Sequence, residues 1–126
     1  MNRKKVLLID EEKAILDTYS FLLGKEGYRV VTSNNGCKAL EELHQQLFDL
    51  VITDLAIKNE NGHTILEEIR TLFPTIPVIV LADNLSDVVR RFAFSLGAYS
   101  LIEKPCGFEI LISCIRKSLK AKKEYQ

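Results

Sequence analysis

Five short apolar runs alternate along the chain with five longer stretches whose apolar residues recur three and four apart, a rhythm that few folds accept. The short runs, residues 6–9, 30–31, 50–53, 78–81 and 101–102, read as strands. Between them Ile15, Tyr19 and Leu22 form one helical stripe, and Leu40, Leu43 and Leu47 a second. Ile65, Ile69 and Leu72 form a third, and Val89, Phe92 and Leu96 a fourth. Phe108, Leu111, Ile112, Ile115 and Leu119 mark the face of a fifth, amphipathic helix. Gly24 and Gly27 close the first helix, Gly97 closes the fourth, and Pro74 and Pro77 bracket the turn into the fourth strand. Five βα units without a linker imply an α/β fold over residues 1–126, a parallel sheet with helices on both faces. Right-handed crossovers then require a doubly wound sheet, for which 2-1-3-4-5 is the usual five-stranded order.

Composition narrows the function classes. The 126 residues suit one domain, and 47% hydrophobic residues suffice for a sizeable core. Lys+Arg and Asp+Glu number 17 each, so the basic footprint of a nucleic-acid binder is missing. The basic run Arg116, Lys117, Lys120, Lys122 and Lys123 suits the negative end of a helix dipole. Cys37, Cys106 and Cys114 are an odd number without metal spacing, which fits free thiols in a reducing compartment. The MNRKK start leads into only four apolar residues, too few for a leader or a spanning helix, so a cytoplasmic protein away from the membrane is expected.

An open α/β sheet binds ligands beyond the carboxyl ends of its strands, where the winding reverses; in this order the crevice lies between strands one and three. Strand one ends in Asp10, Glu11 and Glu12, and strand three ends in Asp54. Carboxylates brought together repel unless a cation neutralises them, and oxygen ligands suit Mg²⁺ or Ca²⁺. A carboxylate can also act as a nucleophile toward phosphorus, giving an aspartyl phosphate. Strand five ends in Glu103, Lys104 and Pro105, which brings an ammonium to the same rim as a neutraliser of a phosphoryl oxygen, ahead of an X-Pro bond that can be cis. The plain alternative is that the acids cap the first helix and Lys104 is solvated. His44 and His63 lack metal-spaced partners, and no glycine-rich nucleotide loop is present.

The segments VLLIDEE (6–12), DLVITDLAIKNENG (49–62), PVIVLAD (77–83) and GAYSLIEKP (97–105), with their mutual spacing, resemble the response-regulator receiver domains of two-component signalling from about Lys5 to Leu119. The resemblance implies a flavodoxin-like (βα)5 fold and a signalling phosphoacceptor rather than an enzyme in the ordinary sense. It makes Asp54 the phosphoacceptor and Lys104 the phosphoryl contact. It makes Asp10, Glu11, Asp54 and the backbone carbonyl of Ala56 the Mg²⁺ ligands, Asp10 through water. Gly62 fits the family's glycine after the acceptor loop. A histidine kinase or phosphotransfer protein would donate the phosphoryl group, and a downstream protein would read it. Family members often pair through the fourth helix, fifth strand and fifth helix, which makes that face, with Arg90 and Arg91, the candidate for a homodimer.

Departures from the family pattern open a second reading. Ala82 stands where the family usually has Thr or Ser, and Leu101 where it usually has an aromatic. The lost hydroxyl bond to a charged phosphoryl costs about 1.5–3 kcal/mol. The phosphorylated state is thereby weakened and the acceptor kept. Glu11 replaces the commoner Asp, Lys58 a frequent Pro, and Asp83 a small residue; Lys58 is expected in solvent and Asp83 as a cap of the fourth helix. A receiver-like interaction module that signals without phosphate is the alternative, because both switch positions, Ala82 and Leu101, have changed.

Overall fold

A computed structural model describes residues 3–124, with side chains as far as Ala121. Met1 and Asn2 of the N-terminal segment, and the Lys122 and Lys123 side chains of the basic run, lie outside the described residues. The elements follow the expected alternation: β1 (Lys5–Ile9), α1 (Lys13–Lys25), β2 (Arg29–Ser33), α2 (Gly36–Gln45), β3 (Leu50–Asp54), α3 (Ile65–Leu72), β4 (Val78–Ala82), α4 (Asp87–Ser95), β5 (Ser100–Glu103) and α5 (Phe108–Glu124). The strands pair in parallel in the order β2-β1-β3-β4-β5.

Alternation along each strand sorts its side chains between two cores. Leu7, Ile9, Val51, Val78 and Val80 point to one face, where α2, α3 and α4 cover them with Ala39, Leu43, Ile65, Leu66, Ile69 and Ala93. Val6, Leu8, Leu50, Ile52, Ile79, Leu81 and Ile102 point to the other, under Leu16 and Leu23 of α1 and Leu111, Ile112 and Ile115 of α5. With helices on both faces, the central strands read as unbroken apolar runs. β2 lies at an edge, so it extends through polar residues that hydropathy alone passes over.

Three stripe residues face solvent instead of the core. Leu47 is 92% exposed because α2 stops at Gln45, and Leu72, the last residue of α3, is 46% exposed. In α4 the inward side chain is Ala93, with Leu96 packed half-buried against the same core, which leaves Phe92 about 100° off the core direction.

Side chains cap three helices: Asn35 accepts from the Lys38 amide at 2.8 Å, Thr64 from Glu67 at 3.3 Å and Ser86 from Val89 at 3.2 Å. Ser86 therefore takes the place expected for Asp83, which is exposed and precedes the helix. Gly27 and Gly97 adopt positive φ beyond α1 and α4, whereas Gly24 lies within α1. The Lys104–Pro105 bond is cis. No described helix is long and apolar enough to cross a membrane.

Candidate functional site

Strand parity brings the charged residues together. Asp10 follows Ile9 on β1, Asp54 ends β3 and Lys104 follows Glu103 on β5, and each has the parity of the α1/α5 face. The Lys104 ammonium donates to Asp54 Oδ2 at 2.8 Å and to Asp10 Oδ2 at 3.0 Å. The side chains of Asp10, Lys104 and Asp54 are only 1%, 12% and 15% exposed, so water screens this trio far less than a surface pair. Burial pulls the Lys104 pKa down. The hydrogen bonds that Lys104 donates to Asp54 and Asp10, and their negative charges, outweigh this and carry the value above the ordinary lysine range.

The second oxygen of each acid is anchored to backbone. Asp54 Oδ1 accepts from the Ala56 amide at 2.8 Å, and Asp10 Oδ1 from the Glu12 amide at 2.9 Å. Both carboxylates are thus fixed in orientation and present their other oxygen to a shared cation position. The main chain holds them from behind: the Asp10 amide reaches the Ser33 carbonyl at 3.2 Å, Leu55 the Leu81 carbonyl at 2.8 Å, and Lys104 the Ala82 carbonyl at 2.8 Å. Buried Thr53 donates its hydroxyl to the Asp54 carbonyl at 3.1 Å.

Helix capping does not account for these acids. α1 starts with Glu12 at its N-cap and no side-chain cap bond, and the Asp10 carboxylate satisfies only the Glu12 amide. Nor is Lys104 a solvated lysine.

Glu11 is placed differently. It is exposed and lines a groove with Lys13, Asp17, Thr32, Asn34 and Lys38. Among the described residues no three His, Cys, Asp or Glu side chains stand together as a metal-holding group, so Glu11 does not join Asp10 and Asp54 in this arrangement. Lys58 is exposed, as expected. Ala82 is buried, and Leu101 is half-buried against the core beneath α2, α3 and α4. Both have the parity of that face, opposite to Asp54. His44 is exposed and its ring lies 5.2 Å from Phe73; His63 is exposed beside Glu67.

One neighbour of the site was visible in the sequence only as a core position. Tyr19 Oη of α1 lies 3.6 Å from Cys106 Sγ, within hydrogen-bond reach for sulfur. Burial, then the Cys106 contact, push its phenol up to about 12, against the lowering charge of Lys104.

The description "Response regulator receiver domain" belongs to the family model that matches residues 6–116. The alginate biosynthesis transcriptional regulatory protein AlgB of Pseudomonas putida is 32% identical over 121 residues, 96% of this chain and 27% of that protein. The transcriptional regulatory protein ZraR of Escherichia coli is 32% identical over 114 residues, 90% of this chain and 26% of that one. The chain therefore spans about a quarter of the length of these regulators. A receiver domain from Clostridium thermocellum superposes with TM-score 0.87 at 30% identity, covering 98% of this chain and 99% of that one. A CheY-like receiver from Methanospirillum hungatei, at 24% identity and TM-score 0.90 over 99% of this chain and 100% of that one, shares the fold.

Proposed function

The chain belongs to the response regulator receiver domain family, and from that premise we propose that Asp54 is its phosphoacceptor, charged by a histidine kinase or phosphotransfer protein. The observation that carries this reading is the shared ammonium, which draws Asp10, Asp54 and Lys104 into one pocket at the carboxyl ends of β1, β3 and β5.

Asp54 acts as nucleophile. Its carboxylate oxygen forms a P–O bond to the incoming phosphorus as the P–N bond to the donor imidazole breaks, leaving an acyl phosphate. The Ala56 amide holds Oδ1, so the carboxylate meets the phosphorus in a fixed orientation. Lys104 remains charged throughout neutral pH and shifts its hydrogen bond from Asp54 to a phosphoryl oxygen, while its bond to Asp10 keeps it in place. Hydrolysis reverses the charge change: water attacks phosphorus, inorganic phosphate leaves and the Asp54 carboxylate returns.

The donor set fits Mg²⁺, which takes one or two carboxylates together with other oxygens. Asp10, Glu11, Asp54 and the Ala56 carbonyl would hold the ion. Bound there, Mg²⁺ supplies positive charge to the oxygens of the transferring phosphoryl group.

A second reading, an interaction module that signals without phosphate, draws on two observations. Ala82 offers no hydroxyl to a phosphoryl group, and Lys104 already pairs with both acids, offsetting one of their two negative charges. Incubation with acetyl phosphate, with and without Mg²⁺, separates the readings. Phosphoacceptance gives a Mg²⁺-dependent mass gain of about 80 Da that Asp54→Asn abolishes. No gain under any condition would leave the phosphate-free module as the better account.

A further inference from the structure

We propose that Tyr19 and Cys106 are positioning residues for Lys104, their contact tying α1 to the loop between β5 and α5 and thereby holding the ammonium between Asp10 and Asp54. The functional weight of Lys104 rests on the phosphoacceptor reading above; its placement in the pocket does not.

Lys104 carries its charge on a flexible four-carbon stem, so the position of the ammonium depends on how firmly the backbone beneath it is held. On the strand side the backbone is held by the Lys104 amide on the Ala82 carbonyl at 2.8 Å. On the helix side, hydrogen bonding resumes with the Ile110 amide on the Gly107 carbonyl at 3.1 Å. Between these points Pro105 has no amide hydrogen to donate, and a Cβ on Gly107 would meet nothing within 4 Å, so neither residue anchors the loop.

Apart from the bonds of Lys104 itself, the side-chain hydrogen bond recorded for this loop among the described residues is Cys106 Sγ with Tyr19 Oη, 3.6 Å apart and 87 residues away in sequence. Tyr19 and Cys106 both pack against the core beneath α1 and α5, which gives the contact a rigid base. The Tyr19 hydroxyl also feels the charges of Lys104 and Asp10, as expected of a group standing beside the pocket.

A tyrosine that only filled the core would do so equally well as Phe. A tyrosine that holds the loop would not.

The test is competitive acylation of the full chain by acetic anhydride, followed by peptide mapping, in wild type, Tyr19→Phe, Cys106→Ala and the double variant. In wild type the buried, ion-paired Lys104 reacts slowly compared with exposed Lys13. Loss of the clamp should speed acylation of Lys104 by roughly two- to fivefold in each single variant, about the worth of one hydrogen bond, with other lysines unchanged. The double variant should react no faster than either single one, because both changes remove the same contact. Cys106→Ser, which keeps a polar hydrogen-bonding atom, should restore part of the protection. Unaltered Lys104 reactivity in both single variants, or an equal rise at every lysine, would overturn the proposal.

Acetyl phosphate and Mg²⁺ applied to the same proteins read the other claim separately. A wild type that gains no mass while the acylation pattern holds defeats the phosphoacceptor reading and leaves the clamp standing. Variants that gain mass more slowly, with unchanged thermal midpoints, support both.

Discussion

Lys104 pairs with both Asp10 and Asp54, offsetting one of their two negative charges, and under the phosphoacceptor proposal it is also the group that meets the phosphoryl oxygens. Replacing it by Met leaves two weakly hydrated carboxylates facing each other. Lys104→Met is expected to cost about 1–3 kcal/mol in urea unfolding without divalent cations, less than a fully buried pair because Lys104 and Asp54 keep some contact with water. Added Mg²⁺ should recover more stability in the variant than in wild type. The pH dependence has a definite sign. The Lys104 pKa is raised above its ordinary 10.5, so its contribution is fully present below that value and is lost only as pH climbs through the raised one. The gap between wild type and variant should therefore stay level from about pH 7 to 9. A gap that narrows within that window would mean the ammonium is not held as described.

At the scale of elements, helices and strands were legible from the period of their apolar residues, and the misreadings have local causes. Phe92 was assigned to the core by spacing alone, but α4 turns its Ala93 inward, and a small residue signals burial weakly by hydropathy. Asp83 follows β4 directly, but the chain runs three residues further before Ser86 caps α4. Two of the three glycines read as stops differ in kind. Gly97 has φ 104°, and a Cβ there would meet Arg70 Cγ at 2.5 Å; a Cβ on Gly24, inside α1, would meet nothing within 4 Å. Gly97→Ala should therefore destabilise by more than about 1 kcal/mol, while Gly24→Ala should stabilise by about 0.4–1 kcal/mol. Thermal denaturation of the two variants reads both signs, and matching signs would contradict this distinction.

For the molecule as a whole, strand order and strand parity do most to build the site. The order 2-1-3-4-5 places β1 beside β3, and parity sends Asp10, Asp54 and Lys104 to the same face. That convergence could be anticipated because it follows from topology. The exposed placement of Glu11 could not, since it depends on how the chain leaves β1, and the Tyr19–Cys106 contact could not, since it joins residues 87 apart through a loop without a periodic signal. Locating the acyl phosphate itself tests the central claim most directly. Borohydride reduces an aspartyl phosphate to homoserine, so protein treated with acetyl phosphate and Mg²⁺ should yield homoserine at position 54 on peptide mapping. Homoserine at another aspartate, or at none, would contradict the assignment of Asp54.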